Sequence, residues 1–228
     1  MKRINMNYIK LIMKNYYKNI ILVTGLLILL CSSFSAHASL PLQGKVIVVD
    51  AGHGGLDPGT LYKNIYEKDI TLKISQYLEK YLVSMGASVV LTRNNDHDLS
   101  NGVKNHRKKR DFDERIKIIN NKLTDMYISI HLNYLPDGSY YGPQVFYNKK
   151  NKAMAESIQN YLNDNIKSNR EAKKIPASTY MYKRLNKKGV LIECGFLSNK
   201  TEREKLITSE YQEYFARIVA EAIAHYYS

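Results

Sequence analysis

Cysteine is nearly absent from this 228-residue chain, which has only Cys31 and Cys194. Cys31 falls in an apolar N-terminal run, so the rest of the chain holds a single thiol and cannot form an intramolecular disulfide. Cys194 follows Glu193, whose charge disfavours a thiolate, and reads as a small packing residue rather than a nucleophile. Acidic residues are scarce too, 21 against 34 Lys and Arg, for a net charge of +13. Five of those positive charges (Lys2, Arg3, Lys10, Lys14 and Lys18) precede residue 39 with no acidic residue among them, which leaves +8 for residues 39–228. A basic surface suits an anionic polymer, an anionic membrane or nucleic acid, and it also serves plain solubility. The interleaved basic and aromatic pattern of a nucleic-acid module is missing, since the 19 tyrosines are spread along the chain. There is no internal repeat and no local zinc motif of the H-E-x-x-H kind.

What is present begins with a leader. Ile20 to Cys31 is apolar, preceded by the five cations and followed by Ser32-Ser33-Phe34-Ser35-Ala36-His37-Ala38. These are the three regions of a secretory signal, with Ala36-His37-Ala38 as the cleavage site before Ser39. The bulky Leu30 argues against lipidation of Cys31. An uncleaved anchor is the rival, because the run extends to about 17 residues through Ala36, the short limit for a membrane span. Either way residues 39–228 are expected outside the cytoplasm, as one domain of ordinary size, with membrane contact only through the N-terminal segment.

The most informative stretch is Lys45-Val46-Ile47-Val48-Val49-Asp50-Ala51-Gly52-His53-Gly54-Gly55. Four β-branched residues between glycines suit a central strand covered on both faces. The glycines beside His53 let the backbone turn sharply and approach a ligand closely. Chemistry in α/β proteins usually sits in such loops at strand C-termini. Glu67 and Asp69 open a helical pattern (Ile70, Ile74, Tyr77, Leu78, Tyr81, Leu82, Met85) that Gly86 stops. His131 ends the strand-like run from Met126 to Ile130. Two histidines and a glutamate make a three-ligand catalytic zinc set. The same residues also allow a bland reading: carboxylates favoured by a helix N-terminus and a hydrogen-bonded histidine at a strand end. Glu193 closes the apolar strand from Gly189 to Ile192, and a carboxylate there needs either a basic partner or a role as general base beside a metal.

The remaining pattern is that of a mixed, mostly parallel sheet flanked by helices. Ala87 to Thr92 is expected as a strand and Asn94 to Arg110 as a long surface loop. Asp111 to Glu114 resembles a capping box, opening a helix that buries Phe112, Ile116, Ile119 and Leu123. Gln144 to Tyr147 is expected as a strand, Tyr180 to Tyr182 as a further short one, and Ala153 to Ile166 and Tyr211 to Tyr226 as helices. His97, His106 and His225 carry no assigned chemistry.

Five blocks in order then carry a family resemblance: Val49-Asp50-Ala51-Gly52-His53-Gly54-Gly55, Glu67-Lys68-Asp69, Leu91-Thr92-Arg93, Ser129-Ile130-His131-Leu132-Asn133 and Ile192-Glu193-Cys194-Gly195-Phe196-Leu197-Ser198-Asn199. In them the chain resembles the zinc-dependent N-acetylmuramoyl-L-alanine amidases (Amidase_3 family), which cleave bacterial peptidoglycan. Ser39-Leu40-Pro41-Leu42, the Arg107 to Arg115 segment and Tyr127 to Asn133 are similar to the germination-specific, spore-cortex branch. The resemblance implies an α/β single-domain zinc amidase over residues 39–228, with helices on both faces of the sheet. It implies zinc on His53, Glu67 and His131, and Glu193 as the catalytic residue. Arg93 and Asn133, close to these blocks, are candidates for substrate contact. The implied setting is the forespore envelope, with peptidoglycan as substrate, muramic δ-lactam formation as the outcome and an accessory protein possible. The alternatives are another extracytoplasmic zinc peptidase acting on wall peptides, or a non-catalytic wall-binding protein. The chain departs from the family at Ala51 and at Lys187-Lys188, where proline is common, but at no implied ligand.

Overall fold

The structure is a computed structural model and describes residues 6–32, 39–103, 105–148 and 151–228. It divides into two compact units, Met1–Ser39 and Leu40–Ser228. The first contains helix α1 (Met6–Ser32). Among the described residues no helix is long and apolar enough to cross a membrane. The Ala36-His37-Ala38 cleavage site lies outside the described residues.

The second unit is built on a six-stranded sheet. Its strands are β1 (Val46–Ala51), β4 (Ser88–Leu91), β5 (Met126–Asn133), β6 (Gln144–Tyr147), β7 (Lys173–Lys174) and β8 (Lys188–Phe196), in the order β4-β1-β5-β8-β6-β7. The first four in that order are parallel, and β6 runs antiparallel to β8. A hairpin of β2 (Leu61–Tyr62) and β3 (Ile65–Tyr66) leads into helix α2 (Glu67–Ser84). Helices α3 (Arg107–Ile119), α4 (Lys152–Ile166), α5 (Lys200–Leu206) and α6 (Ser209–Tyr227) complete the unit.

Strand periodicity sorts the side chains onto two faces. Ile47, Val49, Ile128, Ile130, Val190 and Ile192 join one core with Ile70, Ile74, Leu78 and Leu82 of α2 and Phe215, Val219 and Ile223 of α6. Val48, Tyr127 and Leu191 point the other way, toward Ile119 of α3 and Met181, Tyr182 and Leu185. The central strands are therefore apolar on both sides, which is why Val46 to Val49 reads as an unbroken hydrophobic run.

Helix α3 departs from expectation. It starts at Arg107, four residues before the anticipated capping box, with His106 in the left-handed conformation at its N-cap. Asp111 caps nothing; it is buried and accepts the Leu99 N–H and the Arg115 guanidinium. Leu123 lies beyond the helix and is exposed. Tyr182–Arg184 forms a 3-10 turn in place of the short strand expected at Tyr180 to Tyr182. Among the described residues Tyr127 and Tyr182 are the buried tyrosines, while Tyr77, Tyr81, Tyr147, Tyr161 and Tyr211 are half-buried and pack against the core.

Candidate metal centre

Parallel strands β1, β5 and β8 bring their C-terminal ends to one edge of the sheet, and the site residues collect there. On β5, Tyr127 faces α3, so by alternation Ser129 and His131 do too; on β8, Leu191 and Glu193 share that face. The parallel register pairs His131 with Glu193. Both strands run on past these residues, to Asn133 and Phe196, where the sequence pattern has His131 and Glu193 closing them. Residues 62 apart in sequence thereby become neighbours.

His53 follows β1 in the left-handed conformation, φ 62°, which costs a non-glycine residue about 1–3 kcal/mol and persists only where its surroundings enforce it. Here they do. Gly54 and Asp57 exchange backbone hydrogen bonds at 3.0 Å, closing a tight loop, and Arg115 Nη2 donates to the His53 carbonyl at 2.6 Å. Asp57 Oδ2 lies 3.1 Å from His53 Nδ1, which aims Nε2 at Glu67 Oε1, also 3.1 Å away. His131 Nδ1 reaches the same Glu67 oxygen at 3.1 Å. Glu67 is itself clamped: Oε2 accepts the Thr60 N–H at 2.7 Å and Oε1 the Leu132 N–H at 2.9 Å. As the first residue of α2 it also gains from the helix dipole.

Two glycines keep this space open. A Cβ at Gly52 would fall 2.4 Å from His131 Cε1, and one at Gly59 2.6 Å from Glu67 Oε2 and 2.7 Å from the His53 ring. Larger residues at either position would displace the donors.

The electrostatics favour a cation. Burial would lower the His53 pKa, but hydrogen bonds and charge from Asp57 and Glu67 outweigh it and raise the value to about 9. Burial would raise Glu67, yet His131 and His53 hold it far below the usual carboxylate range. Such a pocket attracts a proton or a metal ion in competition. One ligand atom each from His53, Glu67 and His131 lies within 4.8 Å of the others. Tetrahedral zinc with donors at 2.0–2.2 Å sets them about 3.3 Å apart, so this nitrogen and oxygen set fits the ion. Glu193 stands beside it with Oε2 buried and accepting no hydrogen bond. Burial, then the charge of Glu67, raises its pKa to about 8, against a smaller opposing effect from His53. A cavity of about 120 Å³ adjoins the two histidines, walled by Phe112, Tyr180, Met181 and Leu191. A larger hollow of about 510 Å³ at Tyr141, Lys167, Glu202 and Tyr214 contains none of these donors.

Of the two substrate-contact candidates, Arg93 is excluded by its surroundings. It is 1 % exposed; Nε donates to the Ala51 carbonyl, Nη1 to Asn95, and Nη2 to Gly52 and Lys68. Its guanidinium braces the His53 loop, and burial keeps it away from substrate. Asn133 is half-buried at the end of β5, its amide oxygen accepting the Tyr134 N–H. Four residues that shape the site carry little signal of it in the sequence: Asp57, which holds the His53 imidazole, and Asp50, Asp111 and Arg115. Asp50 and Asp111 both pair with the buried Arg115, and Asp50 also accepts from Thr92 and Ser129. The i,i+4 spacing of Asp111 and Arg115 was the only visible signal.

An open α/β sheet with two imidazoles at its strand ends, the carboxylate that opens α2 between them and a second carboxylate buried alongside marks out a class of hydrolases with a metal-capable site. Within that class the N-acetylmuramoyl-L-alanine amidase family model (Amidase_3) matches residues 47–225, and the chain belongs to that family. It is 40% identical over 197 residues to the germination-specific N-acetylmuramoyl-L-alanine amidase of Bacillus subtilis, with 83% of each chain covered. Among solved structures, the CwlD amidase from Clostridioides difficile, in complex with the GerS lipoprotein, is similar with a TM-score of 0.74 at 39% identity, over 80% of this chain and 98% of that one. An N-acetylmuramoyl-L-alanine amidase from Clostridium difficile 630 matches with a TM-score of 0.70 at 29% identity, over 80% and 96%.

Proposed function

We propose that His53, Glu67 and His131 hold a zinc ion, and that Glu193 transfers the proton in hydrolysis of the amide joining the muramic lactyl group to L-alanine in peptidoglycan. The observation that supports this most is the convergence of the three donors within 4.8 Å, with Glu193 in register beside His131. Zinc bound there supplies a Lewis acid, which acidifies water and polarises a carbonyl. Glu193 accepts the proton of the attacking water and returns it to the departing amine, which leaves poorly unless protonated. Its Oε2 is buried and accepts no hydrogen bond from the protein, which leaves it free to take and give a proton. Asp57 orients the His53 imidazole. Cys194 contributes no nucleophile, because it is buried and burial pushes its thiol pKa well above the ordinary value. Asn133, at the site edge, is the remaining candidate for substrate contact.

Mass spectrometry of muropeptides digested by the purified full chain tests the reading. Free lactyl groups with new L-alanine amino termini are expected. Cuts inside the stem peptide would replace the amidase with a wall peptidase.

Similarity to the germination-specific relative supports spore cortex as the substrate and muramic δ-lactam as the downstream product. Unchanged δ-lactam in spores lacking the protein would overturn that assignment while leaving the amidase intact. In this reading residues 1–38 export or anchor the chain, residues 39–228 are the catalytic domain, and the protein acts outside the cytoplasm at the forespore envelope. Intact-mass measurement of exported protein distinguishes cleavage before Ser39 from retention. The relative solved with a lipoprotein supports an accessory partner here as well; full zinc content and activity in the purified chain alone would argue against one.

A further inference from the structure

The cavity beside His53 and His131 has a rim that the hydrolytic reading does not use. Its inner wall is apolar: Phe112 and Tyr180 stack with centroids 6.1 Å apart, next to Met181 and Leu191. Above that wall the charge is positive. Lys108 lies between two cavity-lining residues, its Nζ 3.7 Å from Asp57 Oδ2 and 5.9 Å from the Phe112 ring centroid. Arg184 sits 3.9 Å over the Tyr180 ring, and Lys109 and Lys183 lie 5.9 and 6.0 Å from it.

Two carboxylates face these four cations. Asp57 is engaged with His53. Asp113 is shared by Lys109, Arg184 and the Tyr180 hydroxyl. Lys108 has a single long contact to a carboxylate, Asp57, and its side chain is 60 % exposed. An apolar wall next to the metal ligands, followed outward by surplus positive charge, is complementary to a small apolar residue followed by an anionic one.

Resting on the amidase reading above, we propose that the rim of Lys108 and Arg184 is a specificity subsite: it binds the carboxylate of the stem residue that follows L-alanine while the alanine methyl lies against Phe112 and Tyr180. Cations at this distance act on encounter and on substrate binding more than on the chemical step. The discrimination therefore shows in KM, is screened by salt, and leaves the reaction at Glu193 untouched.

The test compares two synthetic muramoyl dipeptides, one with a free α-carboxylate on the residue after L-alanine and one with that group amidated. The wild-type full chain is expected to cleave the carboxylate form with the higher kcat/KM, an advantage that shrinks as sodium chloride is raised from 50 to 500 mM. Lys108→Ala and Arg184→Ala are each expected to lower kcat/KM for the carboxylate form about fivefold, through KM, and to leave the amidated form unchanged. Lys108→Glu should reverse the preference. Lys80→Ala, on the exposed face of α2 away from the site, should change neither. Equal cleavage of both substrates by wild type, or a preference that survives both rim variants, would overturn the subsite. Failure of wild type to release L-alanyl peptide from either substrate would instead overturn the amidase reading. Zinc content measured on each variant separates loss of the subsite from disturbance of His53 through Asp57.

Discussion

The guanidinium of Arg115 donates to the backbone carbonyl of His53 across 2.6 Å, and so ties a left-handed residue to helix α3. The same group donates to Asp50, Asp111 and the Ala51 carbonyl. Arg115 and its two carboxylate partners are almost wholly buried. Removing one partner leaves the others as uncompensated buried charges, which costs more than the pair itself contributes. Arg115→Met is expected to destabilise the protein by about 3–5 kcal/mol in urea unfolding. A loss below about 1 kcal/mol would show that water reaches the network and that Arg115 does not hold the loop.

Asp50 should make stability depend on acid. Burial alone would raise its pKa, but the Arg115 charge and the Ser129 hydrogen bond outweigh burial and hold it below the ordinary value. A carboxylate with a depressed folded-state pKa stabilises the fold above its unfolded pKa, about 3.9, and loses that contribution as pH falls toward the folded value. Melting temperatures measured from pH 6 to pH 2 are therefore expected to drop below about pH 4 in wild type. Asp50→Asn should be less stable at pH 6, with a shallower acid slope. An unchanged slope would place the acid sensitivity elsewhere.

Glu193→Gln preserves shape while removing the group that moves the proton. It is expected to bind zinc at wild-type stoichiometry and to lose about 10²–10⁴-fold in kcat. Zinc analysis alongside muropeptide turnover checks both halves, and near-normal turnover would exclude Glu193 as the base.

Asp57 acts on the metal through His53 Nδ1. Asp57→Asn is expected to weaken zinc affinity about 10–100-fold, the usual cost of losing the group that orients a ligating histidine. Competition with a chromophoric chelator measures it. Unaltered affinity would mean that the Gly54–Asp57 loop alone sets the imidazole.

Gly52→Ala tests the space rather than the charge. The added methyl would meet the His131 ring at 2.4 Å, so the ring must move. Loss of zinc and activity is expected, with the fold retained by circular dichroism. Full zinc occupancy in this variant would show that β5 can shift to accommodate it.

Much of this protein is legible from side-chain order alone. The β-branched run from Val46 to Val49, the apolar periodicity of α2 and α6, and the glycines around His53 announce buried strands, amphipathic helices and a tight loop, because each depends on neighbours within a few residues. The start of helix α3 is hidden for the opposite reason: Asp111 resembles a cap locally, but its partners are Arg115 and the Leu99 amide, inside the fold. Arg93 is illegible for the same reason, since nothing local shows that the Ala51 and Gly52 carbonyls hold it.

Residue order is enough to show which side chains are available for chemistry and that His53, Glu67, His131 and Glu193 belong to recognisable blocks. That they meet is a property of the folded chain alone. Parallel pairing of β5 with β8 sets His131 beside Glu193, and the start of α2 swings Glu67 between the two imidazoles. Those distances arise from the register of strands far apart in the chain, and register depends on burying every apolar face at once.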